Sequence, residues 1–130
     1  MANIQKIYSD IDFTFTKKPV VGDVALSYDA QAVTRSIRNL LNTKNYDRLF
    51  NPDLGSKITG LLFENMSPVT AATMENIITN LIQDYEPRAR LQKVSVTSVP
   101  DKNAYSVSIS FYIENATLPT NVTILLERNR

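Results

Sequence analysis

The side chains able to do acid–base chemistry in this sequence are its carboxylates. Neither histidine nor cysteine occurs among the 130 residues, so the commonest general base, the thiolate nucleophile and the disulfide bond are all absent. Glycoside hydrolysis suits such a chain best, since it needs two carboxyl groups several ångströms apart, one of them with a raised pKa. The candidate acids are Asp10, Asp12, Asp53, Glu64 and Glu86.

No spacing in the sequence pairs any two of these acids, and solvated surface positions explain each of them. Asp10 and Asp12 alone cannot supply the roughly six to eight oxygen ligands that calcium takes. Only three glycines occur and they lie far apart, which excludes a glycine-rich phosphate loop. We therefore predict no catalytic residue, no metal site and no cofactor.

One charged motif contains a proline that restricts its backbone. Glu86-Pro87-Arg88 lies where a long predicted helix ends and the first predicted strand begins. Proline restricts the backbone there, so the two opposite charges project from a rigid corner, and arginine can bind a carboxylate through two parallel hydrogen bonds. The pattern leaves two interpretations open. One is an ion pair within the chain that contributes little to stability, and the other is a docking point for a partner.

Three helices are predicted upstream of the Glu86-Pro87 pair. The first follows Asp29, a favoured N-cap residue, and a turn-rich segment leads into a short second one. Ser67 and Pro68 supply a capping hydroxyl and a first-position proline to the third and longest helix. That helix ends at Glu86 because proline disfavours helical geometry in the residue before it. The apolar stripes of the three helices comprise Val33, Ile37, Leu40, Leu41; Leu54, Ile58, Leu61, Leu62; and Met74, Ile77, Ile78, Leu81, Ile82, Tyr85.

After the third helix the apolar period changes to two, which is typical of strands with one buried face. Three strands are predicted, and they form an antiparallel meander whose apolar face the helices cover. The sequence thus predicts an α+β fold of two layers. The alternating apolar residues are Val94 and Val96 in the first strand, Tyr105, Val107, Ile109, Phe111 and Ile113 in the second, and Val122, Ile124 and Leu126 in the third.

The chain length favours a single domain over residues 1–130. We expect an extended N-terminal arm over 1–23, a mainly helical part over 24–90 that opens with a short strand near Val24–Leu26, and the meander over 91–130.

The last predicted strand is apolar on both faces, because Leu125 points away from its buried neighbours. Such a terminal strand needs a cover. A segment of the same chain and a strand added by another protein fit the pattern equally well.

Net charge and hydropathy narrow the class of protein. Fourteen basic and 13 acidic side chains give a net charge of +1, whereas nucleic-acid binding favours a strongly basic surface. No segment approaches the roughly 20 apolar residues of a membrane span, and the first residues lack the apolar run of a secretory signal. We expect a protein of the reducing cytosol that contacts neither nucleic acid nor membrane.

The order of several motifs resembles one protein family. In chain order these motifs are Met1–Ile4, Tyr8–Asp12, Arg35–Asn39, Phe50–Gly55, Leu62–Ala71 and Tyr85–Arg88. Together they resemble the gene-25-like family of contractile-tail phages, the baseplate wedge subunit that initiates the sheath, in the version of large T4-like myophages. The resemblance spans essentially the whole chain and includes related subunits of type VI secretion baseplates.

The resemblance implies a structural, non-enzymatic subunit of the virion, six copies of which ring the tail tube after assembly in the host cytoplasm. Glu86, Pro87 and Arg88 match the family motif that docks on the helical core bundle of the wedge. By the same resemblance the C-terminal strands imitate a sheath subunit and pair with strands of the first sheath ring. That role falls to Tyr105, Val107, Ile109, Phe111, Val122, Ile124 and Leu126.

The implied partners are other baseplate wedge proteins, the tail sheath subunit and baseplate proteins close to the tail tube. The family has also carried a lysozyme label. A peptidoglycan hydrolase of the tail is therefore kept as the alternative function.

Overall fold

The computed structural model describes residues 9–11, 26–114 and 116–128. Its helices are α1 (Asp29–Asn42), α2 (Ile58–Leu62) and α3 (Pro68–Tyr85). Its strands are β1 (Ser9–Ile11), β2 (Leu26–Tyr28), β3 (Ala89–Val99), β4 (Ala104–Ile113) and β5 (Thr120–Glu127).

The C-terminal strands form an antiparallel sheet in the order β3-β4-β5, with β4 in the centre. Val107 pairs with Val96 on one side and with Ile124 on the other. Every second residue of β4 and β5 is buried along most of their length, as the apolar period of two predicts. The predicted α+β fold with its three-stranded meander is confirmed.

Helices α1 and α3 supply most of the helical side chains that pack on the buried face of this sheet. Ser67 caps α3 as predicted, since its Oγ accepts a hydrogen bond from the backbone N–H of Thr70 at 3.1 Å. The hydrophobic core comprises Val33, Ile37, Leu40, Leu41, Ile58, Met74, Ile78, Leu81, Ile82, Ala89, Val96, Tyr105, Val107, Ile109, Phe111, Ile113, Val122, Ile124 and Leu126. None of the described helices is long and apolar enough to cross a membrane.

Two helix starts differ from the prediction. Helix α1 begins at Asp29 itself, whose φ of 44° is left-handed, instead of after it. Leu54 lies in the loop before α2, which begins only at Ile58. The reason is Gly55, whose φ of 127° interrupts any helix at this point.

The N-terminal strands belong to a sheet separate from the meander. β1 and β2 form their own antiparallel pair, with Ser9 opposite Tyr28. The strand predicted near Val24–Leu26 is observed as β2, two residues later in the sequence. Residues 24 and 25 of the prediction, and most of the predicted arm over 1–23, lie outside the described residues. β1 contacts α1, which carries Asp10 into the neighbourhood of the Glu86–Arg88 corner.

Candidate functional site

Glu86, Pro87 and Arg88 are the three residues between the end of α3 and the start of β3. The backbone leaves the helix at Glu86, whose N–H still donates to the carbonyl of Ile82 at 2.9 Å. The N–H of Ala89 then donates to the carbonyl of Glu86 at 3.1 Å and closes the turn. This turn, hereafter the corner, fixes the starting points of both charged side chains.

The two charged side chains of the corner bind each other. Nε of Arg88 donates to Oε1 of Glu86 at 2.6 Å, and Nη2 donates to Oε2 at 3.0 Å. Ser36 of α1 also donates to Oε2 of Glu86. Since the Glu86 side chain is only 3% exposed, its carboxylate is satisfied inside the protein and is closed to a partner.

The far side of the Arg88 guanidinium faces β1. Nη1 and Nη2 each lie 3.4 Å from Oδ2 of Asp10, a long separation for hydrogen-bonded charges. The Arg88 side chain is 23% exposed and that of Asp10 is 45% exposed. The internal ion pair foreseen as one of two interpretations is therefore present, and arginine is the member that also reaches the surface.

Arg88 and Ser36 keep the Glu86 carboxyl group in its charged form. Burial alone would raise the pKa of the Glu86 carboxyl, but the hydrogen bonds from Arg88 and Ser36 and the charge of Arg88 outweigh it and lower that pKa below its usual value. The hydrogen bond to Glu86 is the main reason why the pKa of Arg88 is raised.

The seven residues predicted to pair with a sheath subunit all have buried side chains. They lie on β4 and β5 and face the core: Tyr105, Val107, Ile109, Phe111, Val122, Ile124 and Leu126. Both edges of β4 are already paired, so a further strand can join this sheet only along β3 or β5. The side chains stabilise the sheet, and any pairing must use the backbone of an edge strand.

The outer edge of β5 has no strand partner among the described residues. The N–H of Arg128 donates to the carbonyl of Asn103 at 3.4 Å, which identifies this pair as a hydrogen-bonded one. Such pairs alternate with non-bonded pairs along an antiparallel ladder. The backbone groups of Ile124 therefore point to β4, whereas those of Thr123 and Leu125 point to the outer edge.

Helix α1 lies beside this edge and leaves two cavities between helix and strand. The cavity at the start of β5 has a volume of about 490 Å³, and the one at its end, where α2 also contributes, has about 310 Å³. The β5 residues that line them are Thr120, Asn121, Val122 and Thr123 in the first and Leu125, Leu126 and Glu127 in the second. Side chains of an additional strand would thus have room against α1.

The outer edge of β3 is closed. The backbone N–H of Val96 donates to Oε1 of Glu75 on α3 at 2.9 Å, and the register shifts between Leu91 and Lys93. A capped donor and a bulge both discourage the addition of a strand. Among the described residues, the edge of β5 has neither a strand partner nor a side chain that caps its backbone.

The chain also matches known proteins. Residues 27–117 match the family model of the baseplate wedge protein gp25. Over 113 residues the chain is 37% identical to baseplate wedge protein gp25 of Enterobacteria phage T4, an alignment that covers 87% of this chain and 85% of that protein. The chain belongs to the gp25 baseplate wedge family. The predicted family is confirmed, and with it a structural role in the baseplate of a phage virion.

Solved structures share the fold of this gp25-family chain. A protein of Geobacter sulfurreducens described as a candidate tail lysozyme superposes with a TM-score of 0.74 at 21% identity, over 82% of this chain and 97% of that one. A chain of the baseplate complex from the type VI secretion system gives 0.65 at 18% identity, over 75% and 92%. At such identities these likenesses concern the fold alone.

Sequence reasoning found the corner but missed two of its partners. Ser36 and Asp10 contact Glu86 and Arg88 across 50 and 78 residues of sequence. Both residues lie in motifs that carry the family resemblance, Tyr8–Asp12 and Arg35–Asn39, but no local pattern indicates that either contacts the corner. The docking role of the corner and the pairing role of the strands in this gp25-family chain stay predictions.

Proposed function

We propose that this baseplate subunit joins two kinds of partner. The Glu86–Arg88 corner docks on the helical core of the baseplate wedge, and the outer edge of β5 receives a strand of the tail sheath subunit and so starts the first sheath ring. The proposal includes six copies around the tail tube, close to its baseplate proteins, assembled in the host cytoplasm. The observation that carries it is the contrast between the two sheet edges: Glu75 caps a backbone donor of β3, whereas no described residue pairs with or caps the outer edge of β5.

Strand addition supplies affinity through backbone hydrogen bonds and specificity through pockets for alternate side chains. The β5 edge offers both. Thr123 and Leu125 direct their backbone groups outward by the alternation of the ladder, and the two cavities beside α1 can take the side chains of the incoming strand.

The test of strand addition is Thr123→Pro. Proline is tolerated at an edge position whose N–H faces away from the sheet, and the Thr123 side chain is exposed. We expect the variant to keep its circular dichroism spectrum and to join baseplates, while sheath polymerisation on those baseplates is lost in electron micrographs.

The matched control is Thr123→Val, which keeps the backbone donor and the branched shape and should start sheaths normally. Ile124→Pro is the wrong probe, since Ile124 is 6% exposed and its backbone points to β4. Full-length sheaths on Thr123→Pro baseplates would show that β5 is not the template.

The test of corner docking must separate the surface role of Arg88 from its internal role. Arg88→Ala alone leaves Glu86 buried without its main partner, which destabilises a fold by about 3–5 kcal/mol. The double variant Glu86→Gln/Arg88→Met removes both charges together and leaves the net charge unchanged. We expect it to fold and to bind purified wedge core proteins about 2–5 kcal/mol more weakly, because the part of the guanidinium that reaches the surface is lost.

Calorimetric titration of the wedge core with the double variant and with wild type measures this difference, and equal melting temperatures establish that both are folded. Wild-type affinity in a folded double variant would exclude the corner as the docking point.

The hydrolase alternative has less support from the corner. A glycosidase acid needs a raised pKa, whereas the pKa of Glu86 is lowered. Loss of peptidoglycan clearing in Glu64→Gln or Glu86→Gln, with baseplate assembly intact, would restore the alternative.

A further inference from the structure

The loop between α1 and α2 presents apolar side chains to solvent. Tyr46 is 79% exposed, Leu49 is 93% exposed and Phe50 is fully exposed at 100%. Single exposed apolar residues are ordinary, but a cluster of three within five positions is typical of a contact surface. We call residues 43–56 the apolar loop.

The apolar loop is held in one conformation. The N–H of Ser56 donates to the carbonyl of Thr43 at 2.9 Å and closes the loop at its base. Gly55 has a φ of 127°, and a Cβ at this position would lie 2.7 Å from the carbonyl carbon of Lys44, so the two backbone segments touch. A pre-ordered loop loses little entropy when it binds a partner.

A groove of about 440 Å³ separates the apolar loop from the corner. The hydroxyl of Tyr85 donates to the carbonyl of Asp53 at 3.1 Å and ties the loop to the end of α3. The groove residues are apolar at Ile11, Leu40, Leu54 and Tyr85, and polar at Asp10, Arg35, Ser36, Asn39, Thr43 and Arg48. Since Asp10 and Ser36 also contact the Glu86–Arg88 pair, groove and corner form one continuous surface.

The rim of the groove is basic. Arg48 lines it on the side of the apolar loop, and Asp10 is the sole acid among its described lining residues. Arg35 lines it as well but already takes part in an interaction within the chain. Asp10 is itself paired with Arg88. An apolar floor with a basic rim complements a partner that carries apolar residues flanked by acids.

The walls of the groove favour a helix over a strand. Arg35, Ser36, Asn39 and Leu40 follow the spacing of one face of α1, so side chains form that wall. A strand would gain its affinity from backbone pairing, whereas a helix in a groove is read through side chains at i, i+3, i+4 and i+7.

We propose that the groove and the apolar loop bind an acidic amphipathic helix of the wedge partner that meets the corner. Its apolar side chains enter the groove and contact Leu49 and Phe50, and its acidic side chains face Arg48. This inference rests on the proposed docking of the corner and adds the surface and the chemistry of the partner.

The probe is a wedge subcomplex of purified partner proteins assembled without this chain. Arg48→Glu and Phe50→Asp test the rim and the loop, since both side chains are exposed. We expect each to weaken binding by about tenfold or more, and the effect of Arg48→Glu to shrink at high salt. The controls are Lys93→Glu on β3 and Leu118→Asp, which make the same changes at exposed positions outside the groove and should bind like wild type.

A photoreactive phenylalanine analogue at position 50 identifies the segment that the loop contacts. A cross-link to an acidic helical segment of a wedge protein supports the proposal. A cross-link only to an extended segment, or only to a second copy of this chain, overturns it.

The binding measurements distinguish docking of the corner from binding in the groove. If Glu86→Gln/Arg88→Met weakens binding while Arg48→Glu and Phe50→Asp bind like wild type, the groove proposal is overturned and corner docking stands. If all of these variants bind like wild type, both proposals fall.

Discussion

Glu86 keeps its charge in a buried position because two neighbours hydrogen-bond to it. A buried carboxylate without partners would be neutral at physiological pH. Here the guanidinium of Arg88 and the hydroxyl of Ser36 supply the donors. Glu86 therefore serves the shape of the corner, and Arg88 is the member of the pair that can also contact a partner.

The lowered pKa of Glu86 makes the unfolding free energy depend on pH. Because the folded-state pKa lies below the usual value of 4.5, this group stabilises the fold above that pH, and its contribution is lost as pH falls through the folded pKa. We expect the unfolding free energy of wild type to drop more than that of Glu86→Gln between about pH 7 and about pH 3.

Urea unfolding of both proteins across this pH range measures the difference. Glu86→Gln should be less stable than wild type at the upper end, and the difference in unfolding free energy should narrow toward the lower end. Parallel curves over the whole range would mean that the Glu86 charge does not stabilise the fold.

Only some of the contacts of the corner could be predicted from the sequence. Glu86, Pro87 and Arg88 are consecutive, so their association could be predicted from proline stiffness and charge. The role of Asp10 could not, because it depends on how β1 packs beside α1 across 78 residues.

Between elements, the side chain of Glu75 connects the middle of α3 to the edge of β3. It accepts the N–H of Val96, which otherwise would point outward from the sheet unpaired. The helix thus does more than cover the apolar face, since it also closes one edge.

Glu75→Ala should open that edge. An N–H left without its partner costs about 1–3 kcal/mol, and an uncapped edge invites pairing between copies. We expect a lower urea midpoint and concentration-dependent light scattering. Glu75→Gln keeps an acceptor oxygen and should scatter light like wild type, with a smaller loss of stability. An Ala variant as stable and as dispersed as wild type would show that the contact has no protective role.

The strands themselves could be predicted because the apolar period of two persists through β4 and β5. The difference between the edges could not, since β3 and β5 show similar alternation whether or not a side chain caps the backbone. The start of α2 was also predicted wrongly, because a backbone feature overrides the side-chain pattern. Leu54 fits the apolar stripe of a helix, but the left-handed backbone at Gly55 overrides that spacing.

For the molecule as a whole, the two proposed surfaces share helix α1 but differ in their other elements. The corner and the groove also involve α3, β1 and the apolar loop, whereas strand addition involves β5, and Arg35 lines both the groove and a cavity beside β5. Sites that share no partners usually behave additively. The Thr123 and Glu86/Arg88 variants should therefore affect sheath growth and wedge binding separately.

In the described part of the three-stranded sheet, one outer edge is capped and one is available to a further strand. Head-to-tail fibres need two complementary edges on every unit, and this sheet offers one. If the proposed sheath strand pairs with β5, each copy would recruit one sheath subunit and then stop. The number of subunits in the first ring would then follow from the number of copies in the baseplate and not from the concentration of sheath protein.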